Sequence, residues 1–266
     1  MAKSSRYAAK VPDEQGIIPY TDDEHAVWAD LYARQIEIIQ GRVCREFLDG
    51  LDILSLPSDH IPQPSEVSRV LRARSGWEVA PVPALINFDR FFELLSQKKF
   101  PAASFIRSRE DMDYLQEPDI FHEIFGHATM LTNPAFADFT EAYGKAGMKA
   151  SKAERVFLAR LYWFTVEFGL LQTADGVRIC GGGIASSPGE TEYALYSPEP
   201  LRRPFDPLDA LRTPYRIDIY QPVYYILDRM EDLFQLARED LLGLIRQARA
   251  LGEFTPTFPP KTQEAA

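Results

Sequence analysis

The segment that most constrains this chain is residues 161–171, Leu-Tyr-Trp-Phe-Thr-Val-Glu-Phe-Gly-Leu-Leu. Its side chains are apolar nearly all the way round, and a helix of that kind is buried rather than laid on a surface. Glu167 stands in the middle of it. An unpaired carboxylate in such a setting costs several kcal/mol or stays protonated, so the fold must bring it a cation. A nearby arginine would be the structural partner and a metal ion the functional one.

Candidate co-ligands are few. The chain has four histidines, and two of them lie five residues apart in Glu117-Pro-Asp-Ile-Phe-His122-Glu-Ile-Phe-Gly-His127. A zinc-protease helix carries His-Glu-x-x-His, with both imidazoles on one face; here Gly126 takes the fourth place. Positions five apart differ by about 140° on a regular helix, which argues against the protease. A widened, π-type turn near Gly126 would bring the rings together, and such turns accompany functional sites. Without a metal, the pair would be hydrogen-bonded residues at the core edge. With Glu167 it forms a facial triad suited to non-haem Fe(II), whereas zinc on the same ligands would suit hydrolysis.

Composition narrows the function further. At ~150 residues per domain, 266 residues fall between one domain and two. Lys+Arg 29 against Asp+Glu 39 leaves a net charge of −10, with no basic run, which argues against nucleic acid as a partner. No stretch approaches the ~18 apolar residues of a membrane span, and the N-terminus lacks a signal peptide's apolar core. Cys44 and Cys180 are too few for a disulfide scaffold. The expectation is a cytoplasmic, reduced protein that uses no membrane.

Periodicity predicts one domain of α+β class, mainly α-helical with a few short strands. Residues 1–20 read as a flexible arm, 21–255 as the domain and 256–266 as a tail. Thr21 and Glu24 form a capping box for a first helix with apolar residues at helical spacing. Further helices are expected at 65–74, ended by Gly76, after Asn87, from Asp119, from Asn133-Pro134, and from the Ser151–Glu154 capping box to about Leu171. Strands are expected within 77–86, at 103–107, 177–184 and 216–220. A long amphipathic helix over 222–251 closes the fold.

Three stretches carry a family resemblance. Pro118-Asp119…His122-Glu123…Gly126-His127, then Trp163-Phe-Thr-Val-Glu167-Phe-Gly169, then Gly181-Gly-Gly-Ile-Ala-Ser186-Ser-Pro-Gly-Glu190 resemble the catalytic domain of the pterin-dependent aromatic amino acid hydroxylases, in order and with matching spacing. The resemblance runs from about Trp77 to Tyr225, and the short build is similar to that of bacterial members that act on phenylalanine. It implies an Fe(II)- and tetrahydropterin-dependent monooxygenase that converts L-phenylalanine to L-tyrosine with O₂. Tryptophan or tyrosine hydroxylation, and a non-catalytic metal-stabilised binding module, are the alternatives.

Carried over residue by residue, the resemblance makes His122, His127 and Glu167 the iron ligands. It assigns Arg107 to the substrate carboxylate, a task suited to a guanidinium fork; on local sequence alone Arg107 is a surface residue with a Glu partner. Pro118, Trp163 and Phe168 would surround the substrate ring, or simply pack in the core. Gly183 would bring backbone close to the substrate, and Ser186 would support the first histidine beside the substrate. Pterin contacts fall on Phe91, by stacking, on Leu85 and Ile86, on Glu123 through water, and on Tyr162. Asp119 would orient an iron-bound imidazole or act only as a helix cap. The Gly181-Gly-Gly run lacks the Lys-Ser/Thr of a phosphate cradle and reads as a tight turn.

Two departures from the family matter. Leu115 stands where animal members carry a hydroxyl residue near the substrate carboxylate, which shifts anchoring onto Arg107. The chain also lacks the animal regulatory domain and tetramerisation segment, so a monomer or weak dimer is expected.

Overall fold

The computed structural model describes residues 7–83, 86–115 and 117–260. Three helices open the domain: α1 (Asp22–Ile38), α2 (Arg45–Leu54) and α3 (Pro64–Ser75). The Thr21–Glu24 capping box is formed at α1, which buries Val27, Trp28 and Leu31. Gly76 ends α3 in a left-handed conformation, φ 77°, that a side chain would resist. Strand β1 (Glu78–Val82), helix α4 (Phe88–Ser96, capped by Asn87) and strand β2 (Lys99–Ala103) follow, and β1 pairs with β2 in parallel.

The centre of the chain holds a π-helix over His122–Ala128, then α5 (Pro134–Lys149), α6 (Lys152–Tyr162) and a second π-helix over Trp163–Glu167. Asn133 caps α5 with Pro134 at its first position, and the Ser151–Glu154 box caps α6. Beyond them come β3 (Gly169–Thr173), β4 (Gly176–Ile179), α7 (Gly182–Ala185), α8 (Pro188–Tyr196), β5 (Leu201–Pro204), α9 (Pro207–Arg212), β6 (Val223–Leu227), α10 (Glu231–Leu236) and α11 (Leu241–Leu251). One four-stranded sheet has the order β4-β3-β6-β5, with β3 antiparallel to β4 and β6 parallel to both β3 and β5.

Five expectations are corrected. The helix from Ser151 stops at Glu167 instead of Leu171: Phe168 N–H bonds to Trp163 O at 2.7 Å, closing a wide turn, and Leu170 and Leu171 join the sheet. The 222–251 helix is a strand and two short helices. Its first part, Val-Tyr-Tyr-Ile-Leu, is the central parallel strand β6, buried on both faces, and a short apolar run of that kind has no helical or alternating signature. The strand expected at 103–107 lies earlier, at 99–103, and residues 216–220 pair with no strand among the described residues. The strand expected at 177–184 ends at Ile179, where Gly181-Gly-Gly turns the chain into α7.

The N-terminal residues described have no helix or strand but lie against the domain. The Tyr7 ring stacks on Phe105 with centroids 4.7 Å apart, and buried Ile18 exchanges two hydrogen bonds with the Gln63 side chain. At the other end, Phe254 N–H bonds to Arg212 O, and the Arg212 guanidinium lies over the Phe254 ring. The core is rich in fully buried rings, among them Phe121, Phe125 and Phe164, which lie on or beside the two π-helices.

Candidate metal centre

The first π-helix answers the spacing problem. Its i→i+5 bonding widens the turn, so His122 and His127 face each other with their Nε2 atoms 3.0 Å apart. Gly126 inside this turn permits the close approach of α7: a Cβ there would meet Gly182 O at 2.7 Å. From the far side, a Cβ on Gly182 would meet His127 Nδ1 at 2.6 Å. The second π-helix ends at Glu167, whose Oε2 lies 3.2 Å from His127 Nε2 and 3.7 Å from His122 Nε2.

These three atoms fit a metal ion. Ligands ~2.1 Å from an ion and at right angles to one another sit about 3.0 Å apart, close to the edges of this triangle. The protonation of His122 also fits. Ser186 donates its hydroxyl to Gly182 O at 2.8 Å, so its oxygen accepts from His122 Nδ1 at 2.9 Å. The proton is therefore held on Nδ1, and the Nε2 lone pair points into the triangle. Burial, reinforced by His127 and opposed by the Glu167 and Asp119 charges, pulls His122 down to about 4, which keeps the ring neutral at physiological pH. Burial acts to raise Glu167, but His127 and then His122 outweigh it and hold the carboxyl below its usual range. His127 Nδ1 is buried without a hydrogen-bond partner among the described residues. A Glu123 carboxylate oxygen also lies within 4.8 Å of both imidazole ligand atoms. Burial, with the Glu167 and Asp119 charges, pushes Glu123 well above the usual carboxyl range.

The triangle lies at the side of a cleft of about 250 Å³. Ile86, Phe91, Pro118, Glu123, Tyr162 and Trp163 line it together with His122 and Glu167. Phe91 meets Tyr162 edge-on, with centroids 5.7 Å apart, and Trp163 lies against Phe168 at 4.4 Å. Leu85 lies outside the described residues. Gly183 packs on the metal side: a Cβ there would be 2.9 Å from Glu167 Oε2. Ser186 sits against His122 rather than among the cleft-lining residues.

Arg107 and Asp119 form a pair that the sequence does not reveal. Arg107 Nε and Nη2 donate to the two Asp119 oxygens at 2.8 and 3.0 Å, with Asp119 fully buried and Arg107 7% exposed. The surface reading of Arg107 is corrected by this burial. Asp119 also accepts from the backbone N–H groups of Arg107 and His122, each at 3.0 Å. Of the two readings of Asp119, the structure forms the helix cap and not the contact to an imidazole: Asp119 accepts from His122 N–H at the turn that leads into the π-helix and holds Arg107, and Ser186 holds the ring of His122. Sequence reasoning missed Tyr215, which lines the cleft and stacks on Trp163 at 4.3 Å, and Phe100, whose ring lies 5.4 Å from His127. Tyr215 stands on an irregular loop where no periodicity marks it.

Two imidazoles and a carboxylate brought together by two widened helical turns, beside an aromatic cleft, fit the class of mononuclear non-haem metal sites. The family is narrower than that class. Residues 1–249 match the biopterin-dependent aromatic amino acid hydroxylases, and the chain belongs to that family. It is 59% identical to phenylalanine-4-hydroxylase of Pseudomonas aeruginosa over 259 residues, 97% of this chain and 98% of that one. The apo structure of the cold-active phenylalanine hydroxylase from Colwellia psychrerythraea 34H superposes with a TM-score of 0.94 at 57% identity, covering 97% of this chain and all of that one. The Chromobacterium violaceum phenylalanine hydroxylase with bound iron(III) and oxidized cofactor 7,8-dihydrobiopterin superposes at 0.87, with 41% identity, 95% of this chain and 91% of that one covered. No helix among the described residues is long and apolar enough to cross a membrane.

Proposed function

We propose that the protein is an iron- and tetrahydropterin-dependent monooxygenase that hydroxylates L-phenylalanine to L-tyrosine with O₂. The observation that carries this reading is the triangle of His122, His127 and Glu167, with edges of 3.0–3.7 Å, opening on an aromatic cleft. When bound, Fe(II) and the reduced pterin supply the activation of dioxygen. The chain's own residues bind, aim and shield.

His122, its proton held on Nδ1 by Ser186, presents a bare nitrogen, and Glu167 supplies the anionic ligand. Phe91 offers an aromatic face for the pterin, with Ile86, Tyr162 and Glu123 on the same cleft wall, and Leu85 is assigned to that wall by family likeness. Asp119 occupies the Nε–Nη2 edge of Arg107, and Nη1 makes no hydrogen bond found among the described residues. That leaves a second edge of the guanidinium for the substrate carboxylate. Pro118, Trp163 and Phe168 form the apolar side against which the ring lies, with Gly183 keeping the backbone close to Glu167. We place the protein in the cytoplasm, where its two buried thiols, Cys44 and Cys180, stay free, and as a monomer or weak dimer.

Turnover with each of phenylalanine, tryptophan and tyrosine tests the reading, with and without pterin and ferrous ion. Tyrosine formed from phenylalanine only when both are present is the expected result. Full activity of a chelated sample, or activity restored by Zn²⁺ alone, would refute it.

A further inference from the structure

Trp163 stands where the metal ligands meet the cleft, and its ring is held from behind by a residue outside the cleft. Its indole Nε1–H donates to Gln221 Oε1 at 2.9 Å. Gln221 is only 2% exposed, and its amide nitrogen donates to the carbonyls of Arg216 at 2.8 Å and Ile219 at 3.0 Å. Two carbonyls on one side and an indole N–H on the other leave the amide a single orientation. The backbone N–H of Gln221 is fixed in turn, at 3.1 Å, by the carboxylate of buried Glu190, which also accepts from the Tyr224 hydroxyl. The Gln221 side chain thus ties the loop that carries Tyr215 to the indole, two residues before β6 begins.

That loop matters because Tyr215 stacks on Trp163 with centroids 4.3 Å apart and planes 15° apart, while Phe168 covers it at 4.4 Å and 32°. Ring contacts hold the distance between planes but leave rotation within the plane soft. A hydrogen bond at the indole edge removes that rotation. Glu190 and Ser186 both belong to the stretch Ser186-Ser-Pro-Gly-Glu190, so the segment that orients His122 also anchors the partner of Trp163.

We propose that Gln221 is a positioning residue that locks the Trp163 indole in one orientation, and that this lock sets the width of the cleft and favours a benzene ring over an indole as substrate. The proposal rests on the hydroxylase reading given above. Gln221 touches neither substrate nor metal and acts only through Trp163.

The test is Gln221→Leu, which keeps the bulk and removes the acceptor, beside Trp163→Phe, which removes the donor and most of the ring's reach, and the double variant. Losing one neutral hydrogen bond to a mobile wall is expected to raise KM for phenylalanine about five- to tenfold, with kcat changed about twofold or less. The ratio of kcat/KM for phenylalanine over tryptophan should fall by about the same factor. In the Trp163→Phe background the same Gln221 change should leave KM and the ratio unmoved. A second readout needs no metal or pterin: of the three indole N–H signals in the NMR spectrum, only that of Trp163 should shift in Gln221→Leu. Trp28 bonds to Pro57 O and Trp77 has no partner among the described residues, so neither responds. An unchanged KM and ratio in folded Gln221→Leu would overturn the proposal, as would a Gln221 effect equally large without the indole. Should Gln221→Leu not fold, Trp163→Phe decides: unchanged discrimination between phenylalanine and tryptophan overturns the proposal. A wild-type protein inert toward all three amino acids would sink the hydroxylase reading instead, while the NMR shift would still report the lock.

Discussion

Asp119→Asn is the perturbation whose cost the structure defines best. The carboxylate is fully buried and accepts four hydrogen bonds, two from the Arg107 guanidinium and one each from the backbone of Arg107 and His122. Asparagine keeps the shape but offers one acceptor oxygen and turns an NH₂ toward a cation that is itself only 7% exposed. Stranding one member of a buried pair costs about 3–5 kcal/mol. For a protein of this size, about 2–4 °C per kcal/mol places the drop in melting temperature at roughly 6–20 °C. Urea melts of the iron-free protein at pH 7 measure the loss directly. Arg107→Met and the double variant complete a cycle in which the double variant should lose no more than Asp119→Asn alone. The acid limb gives an independent check. Burial acts to raise Asp119, but the Arg107 charge and the hydrogen bonds outweigh it and hold the folded value below the unfolded ~3.9. The pair's stabilisation is then present above that unfolded value and is lost as pH falls through the folded one. In Asp119→Asn this part of the acid slope should vanish. A loss under about 1 kcal/mol, or strictly additive losses in the cycle, would refute the buried pair as the anchor of this loop.

Three further outcomes are expected. Ser186→Ala frees the His122 ring from its tautomer lock, and iron affinity, measured by competition with a chelator, should fall about 10–100-fold while the fold is kept. Glu167→Gln should lose iron and turnover together, yet leave the iron-free protein as stable or more so, because a neutral amide is cheaper to bury than a carboxylate; a destabilised protein with normal iron content would contradict that. Burial raises Glu190, against the lowering effect of its bonds from Tyr224 and Gln221, so the folded protein binds its proton more tightly than the unfolded chain. Stability should therefore decline as pH rises from the unfolded value of ~4.3 through the folded one, and Glu190→Gln should flatten that slope in denaturant melts taken across pH.

The residues proposed to hold the metal were legible because their surroundings made them conspicuous. Glu167 is the lone charge in an apolar helix, and the His122–His127 spacing is one residue too long for a regular chelating helix. Capping boxes at Thr21 and Ser151 and the cap at Asn133 are local signals, and the structure forms all three. The Arg107–Asp119 pair joins residues 12 apart across an irregular stretch, which no spacing rule addresses. Tyr215 and Gln221 stand on a loop whose shape is set by tertiary contacts. Strand β6 was hidden by its own position: a central parallel strand is apolar on both faces, and the same run continues smoothly into helical spacing further on.

Gly126 carries more of the chemistry than its missing side chain suggests. Without it the segment would read His-Glu-Ile-Phe-His, the two-histidine helix of a zinc protease, with Glu123 as the base between them. The extra residue forces the i→i+5 turn and makes contact between this turn and Gly182 possible, since a side chain at position 126 would strike the Gly182 carbonyl. That contact places Ser186 at the His122 ring. Glu167 is delivered by a second wide turn, so all three proposed ligands come from helices that have given up regular bonding. Regular α-helices could supply two histidines four apart, but the wide turns let two rings and a carboxylate meet on one face. The opposite face then stays open toward an apolar cleft, and an oxidising metal requires such a cleft if it is to meet a ring before it meets water.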